Sequence, residues 1–195
     1  MKVLFSGGHL TPALAMIDWI QQHQSDVEMI FVGRKYSQKK LKQEAIEKQE
    51  VMARGVEFVE FNSVQGGLGG LSWIMTAAGL LQAVIKALII IRRHRPSAVL
   101  SFGGYLAVPL VIAAKLCKVP VVAHEGTTVL GKANQLIFRL ADKAAYSFPD
   151  VLNLDYQKIE HKLIFTGTPL RSAVVSNQVI TPPAWFNNNS NKPIL

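Results

Sequence analysis

The chain has 195 residues, 49% hydrophobic and 17% charged, with 21 Lys and Arg against 13 Asp and Glu for a net charge of +8. That length and apolar content fit one domain with an ample core and exclude a disordered or low-complexity chain. The surplus of positive charge points to an anionic partner, either a phosphate-bearing substrate or an anionic membrane surface; nucleic acid is disfavoured, because the basic residues are scattered and no recognised nucleic-acid motif occurs. One cysteine, Cys117, excludes an internal disulfide, and Met1–Phe5 does not read as a signal peptide.

In chain order, the pattern predicts a strand at Lys2–Ser6, a helix at Pro12–His23, a strand at Val27–Val32 and a helix at Lys39–Met52, the last rich in Lys, Gln and Glu. A strand at Val56–Phe61 leads into the glycine-rich loop Gln65–Gly70 and a long apolar helix, Leu71–Arg93. Then follow a strand at Ala98–Phe102, a helix at Leu106–Leu116, a strand at Val119–Ala123, a helix at Leu130–Leu140, and strands at Lys143–Ser147 and Leu163–Thr166. Short apolar strands interleaved with helices predict an α/β fold, a Rossmann-like doubly wound parallel sheet with helices on both faces. No convincing internal repeat is present. After the turn Thr181-Pro182-Pro183, the polar run Asn187–Lys192 gives way to Pro193-Ile194-Leu195. Such a run reads as a linker, and the apolar residues after it as the start of a new element. Residues 1–180 are therefore expected to form one domain and residues 181–195 to be a linker with the first strand of another.

Doubly wound sheets bind ligands at the carboxyl ends of their strands, and three loops there carry the candidate chemistry. The first is Ser6-Gly7-Gly8-His9-Leu10-Thr11-Pro12. Thr11 is the expected N-cap and Pro12 the first helical residue. Two glycines let the backbone approach a ligand, and a helix N-terminus favours negative charge. His9 is placed for proton transfer or hydrogen bonding; a tight turn with an incidental surface histidine is the plainer alternative. The loop is not the dinucleotide fingerprint G-x-G-x-x-G, and Gly33-Arg34-Lys35 stands where an acidic ribose ligand is needed, so a nucleotide-dependent oxidoreductase ranks low. The second loop, Ser101-Phe102-Gly103-Gly104-Tyr105, repeats the paired glycines; Tyr105 either presents its ring and hydroxyl to a sugar or caps the core. The third is His124-Glu125-Gly126-Thr127-Thr128, with Gly131 and Asn134 after it. Adjacent His and Glu are costly to bury without partners, and Glu125 suits a base or a ligand for sugar hydroxyls. No metal-ligand spacing occurs and no cofactor is called for.

These loops, in this order, resemble the amino-terminal domain of MurG-type N-acetylglucosaminyltransferases, which have the GT-B fold. The resemblance is carried by Ser101–Pro109, by Val119–Glu125, by Gly131 and Asn134, and by Thr166-Gly167-Thr168-Pro169-Leu170-Arg171, which looks like the family's G-[NT]-P-[VL]-R element. It implies an inverting hexosyltransferase of peptidoglycan synthesis. The amino-terminal half would hold a lipid-diphosphate-linked muramoyl-pentapeptide, and a carboxy-terminal domain following residues 181–195 would hold UDP-N-acetylglucosamine. It implies His9 as the catalytic base, with Glu125 second. The acceptor side would be lined by Ser6, Gly7, Gly8, Thr11, Gly103, Gly104, Tyr105, His124, Thr127 and Asn134. Where the family usually has G-G-T-G-G-H and H-E-Q-N, this chain has Leu4-Phe5-Ser6-Gly7-Gly8-His9 and His124-Glu125-Gly126-Thr127, so the two departures fall where the acceptor would be chosen. The Ser-Gly-Gly-His opening also resembles the free-standing membrane-anchoring subunit of the two-chain eukaryotic and archaeal enzyme, which is the alternative reading.

The helix Leu71–Arg93 is long enough to span a bilayer. Lys86, Gln82, Ser72, Thr76 and Gly79 oppose spanning, and so does its place between two sheet strands. A helix lying on the surface is expected, with Trp73, Ile74, Leu80 and Leu81 dipping into the interface and Lys86, Arg92 and Arg93 meeting anionic head groups. That implies a peripheral protein on the cytoplasmic face of the cell membrane; an ordinary covering helix is the alternative.

Overall fold

The computed structural model describes residues 1–34, 36–38, 43–44, 46–61, 72–151 and 156–175. The expected loop Gln65–Gly70 and the tail 181–195 lie outside the described residues, as do the side chains of Trp73 and Ile74.

The chain begins with β1 (Lys2–Ser6), α1 (Leu10–His23) and β2 (Glu28–Gly33). The small strands β3 (Tyr36–Gln38) and β4 (Gln43–Glu44), then α2 (Ile46–Met52), β5 (Glu57–Glu60) and α3 (Ser72–His94), complete the first half. The second half contains β6 (Ala98–Ser101), α4 (Ala107–Leu116), β7 (Val121–Glu125), α5 (Lys132–Leu140) and β8 (Lys143–Tyr146). It closes with the short α6 (Tyr156–Ile159), β9 (Leu163–Phe165) and the short α7 (Ser172–Val175). Seven strands form one sheet in the order β5-β2-β1-β6-β7-β8-β9, every neighbouring pair parallel. The doubly wound fold read from the sequence is the fold observed.

Alternation along the strands feeds two cores. Leu4, Val99, Val121 and Ala144 point to one face, where they pack with Ala87 and Ile91 of α3, Leu110 and Ala114 of α4, and Ile137 and Phe138 of α5. Val3, Phe5 and Phe31 point to the other, against Ala13, Leu14, Ile17 and Ile20 of α1 and Val51 of α2. Strands covered on both faces must be apolar throughout, which is why β1 and β2 show almost no polar alternation. Arg54 ties α1 to α2, its Nε donating to Asp18 at 2.6 Å and its Nη1 to Glu50 at 2.9 Å. Lys162 is buried and donates from Nζ to the Arg139 and Ala141 carbonyls at 2.7 and 2.9 Å, closing the carboxyl end of α5 with a cation, as the helix dipole favours.

Three expectations need correction. Of the helix predicted at Lys39–Met52, the described part is helical at Ile46–Met52, whereas Gln43 and Glu44 form a strand that pairs antiparallel with Gln38 and Tyr36; strand pairing overrides the helical preference of Gln and Glu there. The N-cap of α1 is His9, not Thr11: His9 is extended (φ −93°, ψ 106°) and makes no side-chain capping bond. Pro12 then sits third in the helix, where an N–H still has no intrahelical acceptor. Finally, His124 and Glu125 are the last residues of β7 rather than a loop.

Candidate functional site

The strand order places the topological switch between β1 and β6, since the chain winds outward from these two neighbours in opposite directions. The loops leaving their carboxyl ends are the two glycine loops, and they touch. A Cβ on Gly8 would overlap the Gly103 carbonyl, and one on Gly104 would meet Gly8 Cα at 3.5 Å. Gly103 and Gly104 have φ of +83° and +81°, a left-handed path that side chains disfavour. A Cβ on Gly103 would also lie 2.5 Å from the Asn134 amide.

Behind this contact lies a chain of buried polar groups. Asn134, in the first turn of α5, accepts the Gly104 N–H on Oδ1 at 2.8 Å and donates from Nδ2 to Glu125 Oε2 at 2.5 Å. The acceptor-only carboxylate and the backbone donor together fix the amide's orientation. Glu125 is fully buried, and its Oε1 accepts the Thr127 N–H at 2.8 Å and the Thr127 hydroxyl at 2.7 Å. Both carboxylate oxygens are thus committed. Glu125 holds the second loop through Asn134.

His124 faces the opposite side of β7. Its Nε2–H donates to the Gly167 carbonyl at 3.1 Å, with Ser147 Oγ 3.4 Å away, and its ring lies tilted 5.7 Å from Phe102. This bond joins the end of β7 to the Gly167-Thr168-Pro169 segment 43 residues away. Burial is the main influence on the imidazole and pushes its pKa below the usual histidine range; the Gly167 carbonyl and Glu125 oppose the shift, and His9 adds to it. Among the described residues, His124 Nδ1 and Ser6 Oγ are buried without a hydrogen-bond partner.

The predicted site residues therefore separate into two tiers. Gly8, His9, Thr11, Tyr105 and Thr127 are exposed and Gly104 half-buried, forming a rim at the switch point. Ser6, Gly7, Gly103, His124, Glu125 and Asn134 are buried beneath it. Of the latter, Asn134 and Glu125 hold the second loop from beneath through the Gly104 N–H. Tyr105 does not cap the core: it is 61% exposed. The sequence reading missed Glu47. In a helix rich in Lys, Gln and Glu it looked like a solvated residue, yet its carboxyl lies against Gly7 and Gly33 at the ends of β1 and β2.

On α3 the exposed apolar residues are Leu81, Ile85 and Ile89, spaced four apart, with Leu80 at the edge of the packed face. Lys86, Arg92 and Arg93 are also exposed. The sequence reading missed Ile85 and Ile89, although their spacing from Leu81 was available. No described helix is long and apolar enough to cross a membrane.

A doubly wound sheet with two interlocked glycine loops at its switch point defines the class, an amino-terminal half of the GT-B type. The chain belongs to glycosyltransferase family 28, whose N-terminal domain it matches over residues 6–146. It is 36% identical over 168 residues to the UDP-N-acetylglucosamine–N-acetylmuramyl-(pentapeptide) pyrophosphoryl-undecaprenol N-acetylglucosamine transferase of Pseudomonas fluorescens (strain Pf0-1), covering 86% of this chain and 43% of that one. The enzyme of the same name from Histophilus somni (strain 129Pt) is 31% identical over 184 residues, 93% of this chain and 46% of that one. Among solved structures, Acinetobacter baumannii MurG superposes with a TM-score of 0.64 at 22% identity, over 86% of this chain and 45% of that one. The chain thus spans about half the length of the curated relatives it matches. The alternative, a free-standing anchoring subunit, finds no support in these relatives.

Two outcomes are expected. Asn134→Ala strips Gly104 of its acceptor and one Glu125 oxygen of its donor inside the protein; it should cost about 2–6 kcal/mol of stability in urea denaturation, since each of the two broken buried bonds costs about 1–3 kcal/mol. For His124, the folded pKa lies below the unfolded one. Its contribution is therefore fully present above about pH 6.5 and is lost as the pH falls towards the folded pKa, because the unfolded chain takes up the proton first. Unfolding free energies at pH 7.5 and pH 5 should differ less in His124→Gln than in the wild type.

Proposed function

We propose that this chain is the acceptor-binding half of an inverting N-acetylglucosaminyltransferase. The complete enzyme would move N-acetylglucosamine from UDP-N-acetylglucosamine to a lipid-diphosphate-linked muramoyl-pentapeptide. The observation that carries this reading is the interlocked pair of glycine loops with His9 exposed at the start of α1. The names of the relatives supply the reaction. The first-turn N–H groups of α1 lack a side-chain cap and suit the acceptor's diphosphate. His9 then takes the proton of the attacking sugar hydroxyl. The hydroxyl oxygen bonds to the anomeric carbon as the bond to UDP breaks, and UDP leaves with the electron pair. The configuration inverts because attack comes from the face opposite the leaving group. Tyr105, Thr11 and Thr127 line the acceptor side; Ser6, Gly7, Gly8, Gly103, Gly104, His124, Glu125 and Asn134 shape it. Residues 1–180 form this half, and residues 181–195 lead into a donor domain that binds the UDP-sugar, consistent with relatives about twice as long.

We further infer that α3 lies on an anionic membrane surface, which makes the protein peripheral on the cytoplasmic face. Leu81, Ile85 and Ile89 form an exposed apolar line, and the helix geometry puts Lys86 and Arg93 along its flank with Arg92 at its end. A lipid-linked acceptor demands such a surface. Trp73 and Ile74 remain candidates on the preceding turns, and Leu80 a marginal one.

With the full-length protein, UDP-N-acetylglucosamine and the lipid-linked acceptor, His9→Ala should lower kcat by about 10²–10⁴-fold, the range for removing a general base; a wild-type rate would refute the assignment. Leu81→Ser with Ile85→Ser should weaken sedimentation with phosphatidylglycerol vesicles by about 10-fold or more, given about 1.5–3 kcal/mol for each buried aliphatic side chain. Unchanged binding would make α3 a covering helix only.

A further inference from the structure

Gly7 and Gly33 end adjacent strands, and one carboxyl group occupies the space beside both. A Cβ on Gly7 would overlap Glu47 Oε1, and one on Gly33 would lie 3.0 Å from Glu47 Cδ. The carboxylate also accepts the Arg34 backbone N–H. Gly7 is fixed on the same side by β2, its N–H donating to the Val32 carbonyl at 2.7 Å. The first loop is therefore gripped at two consecutive residues, Gly7 by Glu47 and Gly8 by the Gly103 carbonyl. His9 follows at once, extended and without a capping bond of its own. Among the described residues its imidazole has no hydrogen-bond partner, so the two contacts on Gly7 and Gly8 set the direction in which it leaves α1. Burial pushes the Glu47 carboxyl above the usual carboxylate range, opposed by the Arg34 N–H and the Arg34 guanidinium.

We propose that Glu47 is a positioning residue for His9, whose carboxyl, packed against Gly7 and Gly33, sets the path of the first loop and hence the aim of the imidazole. The proposal rests on the transferase reading above. It assigns Glu47 a role of shape, with the charge incidental.

The test measures kcat, and KM for UDP-N-acetylglucosamine, in the full-length enzyme with thermal melts alongside. Glu47→Gln keeps the shape and should stay within about 3-fold of wild type. Glu47→Asp keeps the charge but withdraws the carboxyl by one methylene; it should lower kcat by about 10–100-fold, the scale of an ångström's misplacement, with KM for the donor unchanged. Gly7→Ala should also be impaired, and Gly7→Ala with Glu47→Ala should lose less activity than the product of the two single losses, because the methyl refills the vacated space. A wild-type Glu47→Asp, a Glu47→Gln as slow as Glu47→Asp, or strictly multiplicative Gly7 and Glu47 effects would each overturn the proposal while leaving His9 in place. An inactive wild type or a fully active His9→Ala would instead overturn the transferase site, and this inference with it.

Discussion

The approach of Gly8 to the Gly103 carbonyl governs the carboxyl end of the sheet. β1 and β6 run side by side with Ser6 opposite Ser101, so loops leaving them must collide or interdigitate. Glycine at both places permits the second outcome. The backbone then supplies its own surface for a ligand, with α1 beginning on one side and the left-handed turn of Gly103-Gly104 on the other. A methyl on Gly8 would overlap the Gly103 carbonyl and force the two loops apart.

That contact is held by buried polar groups, and the balance of their energies is informative. Sealing a carboxylate in a protein costs several kcal/mol unless its oxygens are satisfied. Glu125 meets this condition with three donors from Thr127 and Asn134. What the arrangement secures is rigidity: Asn134 passes the constraint to the Gly104 N–H, which a ligand would otherwise have to order at its own expense. A carboxylate turned towards the crevice would repel a diphosphate. Here one carboxyl is saturated from behind, and burial raises the pKa of the other, Glu47, against the opposing pull of Arg34.

The fold was legible because strands buried on both faces leave an unmistakable apolar run, and helices between them force a parallel sheet. The two glycine loops were legible too, since paired glycines at strand ends mark them directly, and they meet in the fold. What the sequence could not reveal was depth. His124 and Glu125 look like loop residues because lone polar groups are costly to bury, but their partners lie nine residues away at Asn134 and 43 residues away at Gly167. Only Thr127 lies within a local window of them, so the carboxyl end of β7 appeared two residues short. Glu47 was hidden for the same reason: its neighbours Gly7 and Gly33 belong to other strands. The hairpin of β3 and β4 was lost to helix-favouring composition, which strand pairing overruled.

The placement of α3 joins the crevice to the proposed membrane surface. The helix follows β5 and precedes β6, so in a parallel sheet it must start at the carboxyl edge and run back to the amino edge. Its exposed apolar line, from Leu81 through Ile89, therefore leads away from the glycine loops, and its cations Arg92 and Arg93 lie at the far end. An acceptor with a diphosphate head and an apolar tail needs the two environments side by side, in that order. A helix that crossed the bilayer would tear β6 from β1, whereas one lying flat keeps the sheet whole and holds the head group at the strand ends. The same connectivity that makes the sheet doubly wound thus sets the direction in which a lipid-linked substrate would lie.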